Sequence, residues 1–195
     1  MPDIKHFDPQ DALERAGRAF WQHGGGASVQ TLTAATGLNR SSLYATFGSK
    51  QQLYLAALRH YIRTNSHPAF TALSEDGRGL PALRDFFEGL IAVRCTGPRA
   101  GWGCMVVNAQ AGAENEDPEV RGVLDEHHEE MCAALRTALQ AAREKGQLSS
   151  GTDVRDTAES LALLAYGVNV RSRSGASRDR LRRTVAHALD ALAAA

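Results

Sequence analysis

Apolar residues recur along this chain at intervals of three and four with polar residues between them. Nowhere do they alternate one for one between turn dipeptides, so the pattern predicts helices and no strands. Asp8-Pro9-Gln10-Asp11 reads as an N-cap, a proline at the first helical position and an acid in the first turn. The helix that follows sets Leu13, Ala16 and Phe20 on one face and stops at Gly24-Gly25-Gly26; Gly17 inside it lowers helix propensity and invites close packing by a neighbour. Two short helices are expected over about 28–36 and 39–47, then a longer one over about 50–65. Beyond residue 80 the periodic segments lengthen, to about 81–95, 104–113, 118–145, 153–171 and 177–193. Pro9, Pro68, Pro81, Pro98 and Pro118 fall where such segments start or a connection runs. The expected fold is all-α.

The last two helices differ in kind. Leu161 to Val168 is apolar on every side, as in a helix buried between layers. The final helix carries Leu181, Val185, Ala188 and Leu192 as a narrow stripe on a polar cylinder, a pattern suited to a helix–helix seam. Such a seam closes against the chain's own core or against a second copy. The apolar neighbour just before it favours a homodimer interface built from 153–171 and 177–193.

Composition narrows the class. With 43% hydrophobic and 23% charged residues the chain can bury a core, and no apolar run approaches the roughly 18 residues of a membrane span. Three cysteines and an N-terminus without an apolar signal core fit a reducing cytoplasm. The net charge of zero excludes coating of nucleic acid by bulk charge. That balance hides a polarity. Residues 15–74 contain no Asp or Glu but carry Arg15, Arg18, Arg40, Lys50, Arg59 and Arg63, which keeps one surface positive and suits approach to a polyanion. Residues 114–130 hold Glu114, Glu116, Asp117, Glu119, Asp125, Glu126, Glu129 and Glu130 against Arg121 alone, the pattern of a solvated helix face.

The most informative block is Ser28 to Lys50, SVQTLTAATGLNRSSLYATFGSK. Ser28 can cap a helix whose Val29, Leu32 and Ala35 face inward. Gly37 supplies the positive-φ position of a tight turn, Leu38 plugs that turn, and Asn39 can cap the next helix. There Leu43 and Phe47 point to the core, leaving Arg40, Ser41, Ser42, Tyr44, Ala45 and Thr46 outward, small or hydrogen-bonding and none acidic. A short second helix held this way is the element that enters a major groove in a helix-turn-helix. Arg40 can fork onto a guanine edge or a phosphate, and Lys50 opens the following helix, where its ammonium and first-turn N–H groups can meet a phosphate.

On these residues the chain resembles the TetR family of bacterial transcriptional repressors, whose helix, glycine turn and Leu-Tyr-x-x-Phe-x-Ser-Lys run are matched by Leu43-Tyr44-Ala45-Thr46-Phe47-Gly48-Ser49-Lys50 over about residues 8–60. The resemblance implies a three-helix DNA-binding domain over 1–50 and a larger helical effector-binding and dimerisation domain over 51–195. It further implies a homodimer on a palindromic double-stranded DNA operator, released by a small-molecule effector. By that likeness Tyr44 and Lys50 contact phosphates, Ser28 and Gln30 approach from the preceding helix, and Arg40, Ser41, Ser42 and Thr46 belong to the reading surface.

The effector side rests on local chemistry. Gly101-Trp102-Gly103-Cys104-Met105-Val106-Val107-Asn108 frees the backbone just before a helix and sets Cys104 at its first turn, where N–H groups can favour a thiolate. A glycine-cysteine pair here also resembles a TetR subgroup with members that sense electrophiles or oxidants through that cysteine. Cys104 is therefore a candidate sensor, an inert core cysteine or a simple ligand contact. Phe86, Trp102, Cys104, Asn108, His128, Met131 and Tyr166 are the pocket candidates, with Phe87 and Asn169 beside them; several serve equally well as core. His128 and Cys132 share a helix face, but two ligands do not make a metal site, so no metal and no cofactor is expected. Nucleophile-elbow, phosphate-loop and paired-histidine protease signatures are absent, which argues against an enzyme. An all-α interaction module without DNA binding, or more remotely a thiol hydrolase using Cys104 with His127 or His128, are the alternatives.

Overall fold

The computed structural model describes residues 7–194. Among these residues ten α-helices follow one another: α1 Pro9–His23, α2 Val29–Thr36, α3 Arg40–Phe47, α4 Lys50–Tyr61, α5 His67–Asp76, α6 Leu80–Cys95, α7 Met105–Gln110, α8 Pro118–Glu144, α9 Val154–Arg173 and α10 Arg178–Asp190. Among the described residues there is no strand, only an isolated bridge between Leu148 and Ala193. The all-α architecture expected from the periodicity is the architecture observed.

Helix starts follow the expected caps. Asp8 accepts from the Gln10 N–H at 2.8 Å, Ser28 from Thr31 and Asn39 from Ser42; a further cap that the sequence reading did not name, Ser49, accepts from Gln52 in a reciprocal capping box. Gly37 ends α2 at φ 74°, the left-handed region in which a side chain is strained. Gly17 proves less special: a Cβ there would sit 3.7 Å from the Ala57 Cβ, an ordinary contact, so close packing of α1 on α4 does not require glycine.

Three departures from the expected elements have physical reasons. The helix expected to stop near residue 65 runs on through a π-helical turn, Ile62–Ser66, into α5. Pro68 has no N–H for the carbonyl four residues back, and a widened turn just before it lets the helix continue. Thr64 Oγ1 and Asn65 Nδ2 occupy the carbonyls of His60 and Tyr61 at 2.8 and 3.1 Å. The helix expected over 104–113 is shorter, six residues of α7 followed by a 3-10 turn over Ala113–Glu116. Of the expected α10 stripe, Leu181 and Val185 close inward, joined by Leu189 in the chain's own core, while Ala188 and Leu192 are half-buried and Leu192 lies past the helix end at Asp190.

Two apolar cores meet. One joins α1–α4 to residues 104–109 and the start of α8; the other joins α5, α6, α9 and α10 around the rest of α8. Tyr166 packs against both.

Candidate nucleic-acid interface and ligand cavity

α3 has only eight residues, too few to persist alone in water. It is held by the Asn39 cap and by Leu43, its one fully buried side chain. That anchoring turns Arg40, Ser41 and Ala45 out to solvent, with Ser42, Tyr44 and Thr46 half-buried. The Arg40 guanidinium carbon stands 5.6 Å from the Tyr44 ring centroid, a cation–π pair that leaves its N–H groups unspent. Ser28 and Gln30 are exposed on α2, though the Ser28 hydroxyl oxygen already serves as a cap. The Thr46 hydroxyl donates to the Ser42 carbonyl at 2.9 Å, so it has only acceptor capacity left for a partner. Lys50 occupies the first turn of α4, behind the Ser49 cap.

Charge pairing sharpens the carboxylate depletion. Arg15 and Arg18 are paired with Asp11 and Glu14 on α1. Among the described residues, no carboxylate pairs with Arg40, Lys50, Arg59 or Arg63, and none bonds to a side chain of α2 or α3. Two acids from the later acidic run do reach this half of the molecule. Glu114 accepts from the Gly25 N–H in the α1–α2 turn, and Asp117 accepts from Gln51. The first ties the helical domain to the α1–α2 turn and the second ties the start of α8 to α4, contacts that a solvated-face reading of that run did not anticipate.

Where the two cores meet, a cavity of about 400 Å³ opens between α5, α6, α8 and α9. Phe86, Cys104, Met131 and Tyr166 line it, together with Asn169. Trp102, Asn108 and His128 do not: Trp102 packs edge-on against Trp21, Asn108 donates to the Trp102 carbonyl, and His128 lies between Glu159 and Tyr166. Phe87 is fully buried core. Arg94, His127 and Asn65 are among the lining groups that escaped the sequence reading as pocket residues. Arg94 had a signal, a lone charge closing the apolar run Leu90-Ile91-Ala92-Val93.

The polar groups of the cavity form a chain leading out of it. Arg94 donates to the Tyr61 hydroxyl at 3.1 Å, and that hydroxyl donates to Cys104 Sγ at 3.6 Å. Burial pushes the Tyr61 phenol well above its ordinary range, so it stays a neutral donor. Trp21 of α1 stacks edge-on with Tyr61 and donates to the Gly103 carbonyl at 3.2 Å. A change at Cys104 or Arg94 therefore touches α1 and α4, the helices that carry the helix-turn-helix. His128, Cys132 and Glu159 lie with their donor atoms within 4.8 Å of one another, so the structure supplies the third ligand that spacing alone could not identify. Burial and Glu159 raise the Cys132 thiol to about 11, which disfavours the thiolate a metal would need.

A capped groove-sized helix on an acid-free surface, joined to a helical domain with an internal cavity, defines a helix-turn-helix regulator. Comparison with known proteins agrees. The sequence profile described as "Bacterial regulatory proteins, tetR family" matches residues 12–57, and "Tetracyclin repressor-like, C-terminal domain" matches 79–193. The chain belongs to the TetR family of transcriptional regulators. It is 31% identical over 179 residues to the HTH-type transcriptional repressor ComR of Escherichia coli, covering 91% of this chain and 85% of that one. It is 29% identical over 180 residues to the HTH-type transcriptional regulator YezE of Bacillus subtilis, covering 91% and 92%. A cysteine-substituted form of the TetR family regulator CifR, complexed with 26bp double-strand operator DNA, superposes with a TM-score of 0.84 at 31% identity, covering 97% of this chain and 99% of that one. No helix among the described residues is long and apolar enough to cross a membrane.

Proposed function

We propose that this protein is a ligand-responsive repressor that binds a palindromic DNA operator as a homodimer, with its cavity as the effector site. The observation that carries the DNA reading is the α2–α3 surface, where Arg40 and Lys50 stand without carboxylate partners beside the small outward residues of α3. Arg40, Ser41 and Ser42 read bases, while Tyr44, Lys50 and exposed hydroxyls hold phosphates. Dimerisation uses the last two helices. With the α10 stripe turned inward, the apolar contribution comes from α9, whose Leu163 and Val170 are 64% and 49% exposed seven residues apart, with Gly167 between them.

A ligand in the cavity releases DNA by favouring a head spacing other than the one the operator needs, two major grooves about 34 Å apart. The chain from Arg94 and Cys104 through Tyr61 to Trp21 supports that coupling. Cys104, lining the cavity, is the thiol through which an electrophile would act. Selection of bound DNA from a random pool tests the reading: enriched sites are inverted repeats with half-sites one helical turn or a multiple apart. Enrichment of nothing above the input pool contradicts it.

A further inference from the structure

Arg94 sits in the last turn of α6 and is only 8% exposed. A guanidinium keeps its charge at any accessible pH, and a buried charge is costly unless something pairs with it. Its partners here are all neutral. Nε donates to Asn169 Oδ1 at 2.5 Å, Nη2 donates to the Tyr61 hydroxyl at 3.1 Å, and its carbon stands 6.0 Å from the Trp21 ring. Among the described residues no carboxylate lies within ion-pair distance of it. Two acids line the same cavity, but Asp76 and Asp85 are both held by Arg78, at 2.6 and 2.8 Å. Asp85 also lies nine residues before Arg94 on α6, roughly 13 Å away along the helix axis.

Beyond Asn65, Ser66 and Asn169, the rest of the wall is mainly apolar, with Phe70, Leu73, Phe86, Leu90 and Met131. His127 adds a second unfilled polar position. Its Nε2 lies 3.0 Å from Ser66 Oγ, while Nδ1 is buried with no partner. Burial, with His67 and His128 nearby, pushes this imidazole down to about 4, so it offers a hydrogen bond and no charge. The cavity thus combines one uncompensated cation with a hydrocarbon lining.

We propose that the cavity takes an amphipathic monocarboxylate, its carboxylate forked onto the free N–H groups of Arg94 and its aliphatic or aromatic body against the apolar wall. A single guanidinium matches a single carboxylate in charge and fork geometry, whereas a second anionic group would be desolvated against phenylalanine and methionine. This inference rests on the effector-cavity reading and names the chemical class of the effector.

The chain has only two tryptophans, Trp21 and Trp102, in edge-to-face contact at 5.4 Å and with Trp21 beside Arg94, so intrinsic fluorescence reports on the site. The full-length protein is titrated with matched pairs: octanoate and octanol, phenylpropionate and phenylpropanol. In at least one pair the carboxylate binds about tenfold or more tightly than its alcohol. Arg94→Gln removes that preference while alcohol binding remains. Alcohols that bind as well as their carboxylates in every pair, or a preference that survives Arg94→Gln, overturn the proposal. If Arg94→Gln does not fold, the matched pairs on the unsubstituted protein decide alone. Operator release is scored in the same samples. A carboxylate bound with the expected preference that leaves DNA in place upholds the anion site and overturns the effector reading. Release by neutral compounds, with no carboxylate preference, does the reverse.

Discussion

Leu43 is the residue on which the recognition helix depends. It is 0% exposed and the only fully buried side chain of α3. Leu43→Ala removes the one fully buried apolar anchor that this eight-residue helix gives to the core it shares with Leu32 and Leu53, leaving only the partly buried Tyr44 and Phe47. Truncations of this kind cost about 2–5 kcal/mol. A central value near 3 kcal/mol shifts a local opening equilibrium by roughly 100-fold, at about 1.4 kcal/mol per factor of ten. Because α1 packs chiefly on α4 and α2, whereas Leu43 is the one buried anchor of α3, the opening concentrates in α3. Hydrogen exchange followed by mass spectrometry reads this directly: amides over residues 40–48 exchange roughly 100-fold faster while those over 12–21 change far less. DNA affinity falls by a smaller factor as long as α3 remains mostly folded, since only the competent fraction binds. Exchange in α3 that is unchanged, or that rises equally in α1 and α3, refutes the assignment of Leu43 as the local anchor.

Other outcomes follow from the same geometry. His127 titrates near 4 in the folded protein against an ordinary 6.5, so the unfolded chain binds more protons between those values and stability falls as pH drops through that window, by up to about 3 kcal/mol. Thermal melts of the wild type and His127→Gln between pH 7.5 and 4 should diverge in that direction; parallel curves rule it out. Cys104 lines the cavity and Cys132, with its raised pKa, does not, so iodoacetamide labels Cys104 before Cys132 in folded protein; faster labelling of Cys132 contradicts the placement. Leu163→Arg with Val170→Arg places charge on the exposed α9 face and should leave a folded monomer by light scattering; a persistent dimer moves the interface elsewhere.

Much of the first domain was legible because its constraints are local. Ser28 and Asn39 cap helices within three residues of themselves, and Gly37 marks a turn that only a positive φ can make. The second domain was legible as helices but not as a site. Phe86, Cys104, Met131 and Tyr166 line the cavity, whereas Trp102, Asn108 and His128, equally plausible by type, found partners elsewhere. Which side of a helix faces a void is decided by how the surrounding helices pack, and no spacing rule carries that information. Arg94 shows the same limit: its isolation is visible only once its neighbours prove neutral. The continuation past residue 65 hinged on a π turn, which periodicity reads as an ending.

The central claim is that the carboxylate-poor α2–α4 surface binds duplex DNA through phosphates and base edges. Its most direct test is the salt dependence of operator binding by wild type and Lys50→Ala. A dimer with one Lys50 phosphate contact per head should lose affinity steeply as salt rises, and Lys50→Ala should flatten the log–log slope by about 2 across all sequences. Affinity that ignores salt, or a slope untouched by the substitution, contradicts the account.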